Sequence, residues 1–205
     1  MRDFHKFRVP PPQEMEPLPT FLTGYFIISD SELRDPNFYR TVVFILNHDK
    51  NGSLGLVINR PSNTTIREIT TAEYAGSPFA EHTVYVGGPV DQNYLFALHT
   101  GLADNRKSEN AIEAVPGIVF EPDFTLLQGC FSETHETRIR FFAGYAGWSA
   151  GQLEAELKRS DWIVVKASVG LLFSSESNGV WQAALYRKGG IYSVTAEIGT
   201  KPSIN

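Results

Sequence analysis

The chain has 205 residues, with 23 acidic against 18 basic side chains and a formal charge of −5. That length suits one sizeable domain whose core needs no metal or disulfide staple. A single cysteine, Cys130, excludes an intrachain disulfide. The acidic balance gives no net pull toward nucleic acid or anionic lipid, and no apolar run approaches the ~20 residues of a membrane span. With no apolar leader at the N-terminus, the expectation is a soluble, cytoplasmic protein that does not enter membranes.

Residues 1–20 carry Pro10, Pro11, Pro12, Pro17 and Pro19, which leaves little scope for helix or sheet. They read as an extended arm, with a polyproline ligand for a partner domain as the alternative. Residues 21–205 read as one domain. Gly24–Ser29 is a strand candidate, followed by a turn over Asp35–Arg40 in which Pro36 fixes φ. Thr41–Asn47 is a β-branched and aromatic strand. Asp49-Lys50-Asn51-Gly52 is the clearest hairpin signal, with Ser53–Asn59 returning. Both strands are apolar at nearly every position, which predicts cover on both sheet faces.

Thr65-Ile66-Arg67-Glu68 is a capping box that opens a short helix to about Tyr74. Thr83–Val86 and Tyr94–Thr100 are strands separated by the break Gly87-Gly88-Pro89. Gly101–Asn110 reads as a surface loop and Gly117–Glu121 as strand. Thr137–Ala143 is another, where Arg138 and Arg140 alternate with Ile139 and Phe141 in a half-buried pattern. Trp162–Val165 is a strand and Ser168–Phe173 one or two helical turns. Val180–Lys188 is a helix with Trp181, Ala184 and Leu185 on one face, stopped by Gly189-Gly190. The remaining residues read as a loose tail. Strands and helices mix without a strict βαβ rhythm, which favours an α+β fold.

The stretch from Phe141 to Leu157 carries the densest information. Gly144 and Gly147 predict a turn, with the amphipathic bodies of Tyr145 and Trp148 beside it. Ser149 and Gln152 have capping-box spacing for the helix that follows. Leu153 and Leu157 fall on one arc of that helix with Ala150, and Glu154 precedes Lys158 in the favourable i,i+4 order. Glu156 has no equally good local partner, which predicts a tertiary one.

Three segments together resemble the AlgH/YqgE family of bacterial proteins. They are Asp35-Pro36-Asn37-Phe38-Tyr39-Arg40 running through Gly55-Leu56-Val57-Ile58-Asn59-Arg60-Pro61; Gly87-Gly88-Pro89-Val90 with Leu98-His99; and Gly144-Tyr145-Ala146-Gly147-Trp148 with Gly151–Leu157. The resemblance implies an α+β fold in which a small, β-barrel-like mixed sheet is surrounded by helices. It implies little about activity; one branch of the family is described as a candidate transcriptional regulator of alginate production. The proline arm and Ser53-Leu54, where the family more often has Gly or Ala followed by Met, depart from the pattern.

Seven residues form the candidate binding set: Asn59, Arg60, Gly88, His99, Trp148, Gln152 and Glu156. Arg60 reads either as a holder of carboxylate or phosphate or as a structural tie to Glu156, with Asn59 bonding turn backbone. Gly88 belongs to a run that cradles an anion or makes a tight strand-end turn; it lacks P-loop and dinucleotide signatures. His99 is a general base or a hydrogen-bonded structural histidine. Cys130 is a reactive thiol or an inert buried one. Ser149 lacks a nucleophile elbow. His48, His82 and His135 show no paired spacing, so neither metal nor cofactor is expected, and no catalytic residue is assigned.

The sequence therefore predicts a non-enzymatic regulatory or binding protein, with a groove beside Trp148 lined by Arg60, His99, Gln152 and Glu156 for an unknown protein or small molecule. The alternative is a hydrolase pairing His99 with Glu156 or Asp91. Direct nucleic-acid binding would need a basic stripe from Arg138 and Arg140, against the overall charge. Oligomeric state stays open.

Overall fold

The computed structural model describes residues 17–70, 77–101, 107–126 and 137–200. Cys130, His135, the triple proline of the arm and Tyr74 lie outside these residues. Ten strands and five helices follow in the order β1 (Tyr25–Ser29), β2 (Val42–Asp49), β3 (Gly52–Val57), β4 (Pro61–Thr65), α1 (Ile66–Ile69), β5 (Thr83–Val86), β6 (Val90–His99), β7 (Ile112–Val115), β8 (Ile118–Glu121), β9 (Ile139–Ser149), α2 (Gln152–Lys158), β10 (Trp162–Lys166), α3 (Val169–Leu172), α4 (Val180–Lys188) and α5 (Ile191–Ile198).

The strands form one sheet in the order β10-β1-β2-β3-β9-β6-β8-β7, with β5 beside β9 and β4 beside β5. Every pairing is antiparallel except β5 with β9. The mixed α+β architecture is therefore as expected. The sheet curls, since an added Cβ at Gly24 would lie 2.6 Å from Val115 Cγ1, which brings β7 against the start of β1. No ladder joins β7 to β10, so the sheet is open and does not close into a barrel.

The near-continuous apolar runs explain the layering. Along a strand, side chains alternate between faces. On β2, Val42, Phe44 and Leu46 join one core cluster with Trp181, Ala184 and Leu185 of α4 and Leu172 of α3. Val43 and Ile45 join a second, with Trp148, Leu153 of α2 and Trp162. Both faces are thus covered, by α3–α5 on one and by α2 on the other. Fully burying each such Val, Ile or Phe contributes ~1.5–3 kcal/mol. The hairpin also forms as the sequence indicates, with Asp49 opposite Gly52 across Lys50-Asn51.

The structure corrects four local expectations. First, the glycines of 144–147 make no turn: β9 runs unbroken through Ser149. Gly144 has φ +72, where β6 opposes Val90 to Tyr145 but Leu95 to Ala143. The result is a bulge on β6 that bends the pair. Second, Ser149 is not the helix cap; left-handed Gly151 occupies that position. Half of the box survives, because the Ser149 N–H donates to Gln152 Oε1 at 3.1 Å.

Third, Arg140 is not on a wet face. It is buried, its guanidinium 4.2 Å from the Tyr85 ring centre, donating to Ile58 O at 2.9 Å and to Ser174 O. The Arg138–Arg140 basic stripe therefore does not exist. Fourth, Ile191–Ile198 of the expected loose tail form α5, packed on α4 through Ala196. The Gly189-Gly190 stop is real, but the chain turns there and restarts. β4 and β7 were not legible as strands: each is short, polar or half-exposed, and paired only on one side. In contrast, Thr65 does open α1, its N–H donating to Glu68 Oε2 at 2.7 Å.

Candidate functional site

The Trp148 corner is a packing device. Phe38 stacks on Trp148 with ring centres 6.0 Å apart, and Trp162 meets both edge-on, at 5.4 Å from Phe38 and 6.1 Å from Trp148. Glu156 supplies the acceptor that these rings need. Its Oε2 takes both indole N–H groups, each at 2.8 Å, and Gln152 Nε2 donates to its Oε1 at 3.0 Å. The expected tertiary partner of Glu156 is thus a pair of indoles. It is not Arg60.

Arg60 donates to Pro36 O at 2.8 Å and to Tyr39 O at 3.4 Å. Asn59 accepts from the Val42 N–H and donates to Arg40 O, at 2.8 and 2.9 Å. Together they hold the Asp35–Arg40 turn against the end of β3, which is the structural reading of Asn59. Glu154, expected to meet Lys158, meets His48 at 3.2 Å. His48 Nδ1 accepts the Leu22 N–H at 3.0 Å, so in the neutral ring Nε2 carries the proton and donates to Glu154. This buried link between the N-terminal segment and α2 escaped the sequence reading, because 26 and 106 residues separate its partners.

Gly87 and Gly88 let two backbones touch. A Cβ at Gly87 would lie 2.2 Å from Gly144 O, and one at Gly88 2.2 Å from Tyr145 C and O. The Gly87 N–H is spent on Ala143 O at 2.9 Å, as in a strand-end turn. His99 is fully buried. Its Nδ1 accepts the Gly101 N–H at 3.0 Å, while Nε2 has no partner among the described residues. Burial lowers its pKa from the ordinary 6.5; Glu121 opposes that shift and Lys107 adds to it.

Register shows which candidates meet. Trp148, Gln152 and Glu156 come together, and so do Asn59 and Arg60. His99 pairs with Ile139, nine residues along β9 from Trp148, or about 30 Å of strand. Asp91 is eight residues from His99 on the same strand. The His99–carboxylate pocket of the hydrolase reading is therefore not formed with Glu156 or Asp91. The four residues assigned to a groove beside Trp148 do not share one. Among the described residues, no cluster of three or more His, Cys, Asp or Glu could hold a metal ion.

One concave surface lies away from that corner. A groove of about 320 Å³ opens between β4–β5 and the first half of β6. Its floor is Val84, Leu95 and Ala143; its walls include Ser62 and Thr64, and Gln92 and Asn93. Tyr94 and Ile69 stand at its rim, 65% and 48% exposed. The β6 bulge creates it by lifting residues 91–94 off β9. Gly88 lies behind it, its carbonyl accepting from Gln92 Nε2 at 3.0 Å. The signal in the sequence was the polar run Asp91-Gln92-Asn93 inside an otherwise apolar strand.

The profile of the AlgH-like family, DUF179, matches residues 26–193. The chain belongs to the AlgH-like family. A UPF0301 protein of Chlorobaculum tepidum is 32% identical over 184 residues, 89% of this chain and 95% of that protein. Another, of Thermobifida fusca, is 35% identical over 191 residues, 90% and 96% of the two chains. The solution structure of the AlgH protein from Pseudomonas aeruginosa matches with a TM-score of 0.69 and 28% identity over 93% of this chain and 99% of that one. A crystal structure of a protein from Corynebacterium diphtheriae shares the fold, at a TM-score of 0.68 and 20% identity over 96% and 99%. The AlgH-like chain has no helix, among its described residues, long and apolar enough to cross a membrane.

Proposed function

We propose that this AlgH-like protein is a non-enzymatic binding protein of regulatory type, and that its ligand site is the groove between β4–β5 and the β6 bulge. One observation carries the reading: among the described residues no charged side chain lines this groove, and its hydroxyl, amide and phenol groups stand over an apolar floor. That lining suits an uncharged ligand with an apolar body and a few hydrogen-bonding groups. The groove's volume is at the lower end of the usual ligand-pocket range of about 300–1,000 Å³. Exposed Tyr94 supplies a large flat contact at small entropic cost.

The test is amide-shift mapping of the folded chain against a panel of uncharged aromatic amides. Support is a set of shifts confined to Ser62, Thr64 and residues 92–95, with Tyr94→Ala weakening the best binder about tenfold, or ~1.4 kcal/mol. Shifts that map only to other surfaces, or binding unaffected by Tyr94→Ala, refute it.

A further inference from the structure

At the opposite margin of the sheet, β10 pairs with β1 and, among the described residues, with no other strand. Two hydrogen bonds fix which of its backbone groups are used. Asp30 N–H donates to Asp161 O at 2.9 Å and Ala167 N–H to Gly24 O at 3.2 Å. In an antiparallel ladder the hydrogen-bonded residues alternate. Asp161, Ile163, Val165 and Ala167 therefore face β1, and the N–H and C=O of Trp162 and Val164 face outward. No described residue bonds those four groups.

A groove of about 360 Å³ runs along this edge. Leu18, Pro19, Thr20 and Leu22 of the N-terminal segment line it together with Leu157 of α2, and so do Lys188 of α4 and Tyr192 of α5. Lys188 is the one charged side chain among the lining residues described. Trp162 and Val164 themselves are buried, so the edge lies recessed between walls. A recess with two outward donors and two outward acceptors matches one extended backbone, and a flat surface contact would leave those groups unused.

We propose that the β10 edge is a strand-addition site for an extended peptide segment with alternating character. Its apolar side chains pack toward Leu22 and Leu157, and its acidic side chains face Lys188. Backbone pairing to Trp162 and Val164 supplies the fixed part of the affinity, and Lys188 selects the sign of the alternate side chains. This site is independent of the groove at the β6 bulge, and neither proposal depends on the other.

The probe is a blocked pentapeptide of alternating valine and glutamate, compared with the same peptide N-methylated at alternate backbone nitrogens and with a valine–lysine version. Hydrogen exchange and amide shifts are followed on the full chain. In the free protein the Trp162 and Val164 amides exchange faster than those of Ile163 and Val165. With the valine–glutamate peptide at about 1 mM, roughly ten times the ~0.1 mM Kd of a weak specific contact, their protection rises about tenfold. The N-methylated peptide gives no protection. The valine–lysine peptide binds at least fivefold more weakly, and Lys188→Glu reverses that preference.

Val164→Pro removes the outward N–H, at a position where an edge strand tolerates proline, along with part of the side chain's packing in the second core cluster, and it abolishes binding. Should that variant fail to fold, the N-methylated peptide and Lys188→Glu decide the matter. No shift at these amides, equal binding of the N-methylated peptide, or indifference to Lys188→Glu overturns the proposal. So does protection in the free protein that grows with its concentration, which would place a second copy on the edge. Protection in the free protein that vanishes on deletion of residues 1–16 would likewise overturn it, by assigning the edge to the chain's own N-terminal segment.

Discussion

Replacing Glu156 isolates the interaction that seats α2 on the sheet. Its Oε2 accepts from Trp148 and Trp162 at 2.8 Å each, and the Trp148 side chain is only 6% exposed. Glu156→Ala leaves two indole N–H groups without an acceptor. Each orphaned donor costs ~1–3 kcal/mol. Partial access of water at Glu156 keeps the sum toward the lower end, at about 3 kcal/mol. For a chain of this size, that loss lowers Tm by roughly 6–12 °C. Glu156→Gln keeps one acceptor oxygen and loses the charge assistance, so about half the effect is expected.

The assay is urea unfolding followed by tryptophan fluorescence, with Trp148→Phe and Trp162→Phe closing double-mutant cycles against Glu156→Ala. Coupling of ~1 kcal/mol or more in both cycles is the expected outcome. A Glu156→Ala variant within ~0.5 kcal/mol of the parent, or cycles that add without coupling, would show that ring packing alone holds the corner.

Two neighbouring glycines should differ sharply. Gly144 has φ +72, and a Cβ there would sit 2.6 Å from Val90 O, so Gly144→Ala should cost ~3 kcal/mol or more in chemical denaturation; Gly147, whose Cβ would meet Tyr145 Cε2 at 3.5 Å, should accept alanine within ~1 kcal/mol. Stability should also fall on mild acidification. The buried His99 ring is held below its ordinary 6.5, so the unfolded chain takes up the proton first. Its contribution is whole above the unfolded value and is lost as pH drops from there toward the folded one. Unfolding free energies measured between pH 7.5 and pH 5 should therefore decline, and His99→Gln should flatten the slope; His82, also lowered by burial, accounts for part of what is left. An unchanged slope in His99→Gln would assign the acid sensitivity elsewhere.

The Trp148 corner was partly legible. Trp148, Gln152 and Glu156 do form a unit, because residues on one turn of a helix and the strand before it must be neighbours. Asn59 does bond the turn backbone. What the sequence could not supply was the distance between His99 and that corner. It is set by the register of β6 on β9, which depends on a bulge at Asp91–Tyr94 that carries no glycine or proline to mark it. The same bulge opens the groove, so the concave surface stayed hidden with it. α5 was missed because Gly189-Gly190 ends one helix and nothing local says that the next residues begin another.

The amino-acid order alone determined the α+β class, the β2–β3 hairpin, the two-faced burial of the central strands and the span of α4. Each depends on contacts a few residues apart or on periodicity within one element. Only the tertiary structure decided that Arg140 lies inside, that the sheet stays open, and that β10 is left as an edge. Those outcomes follow from which strand lies beside which. Pairing between segments over a hundred residues apart is chosen by the fit of the whole set and is written into no single stretch of the chain.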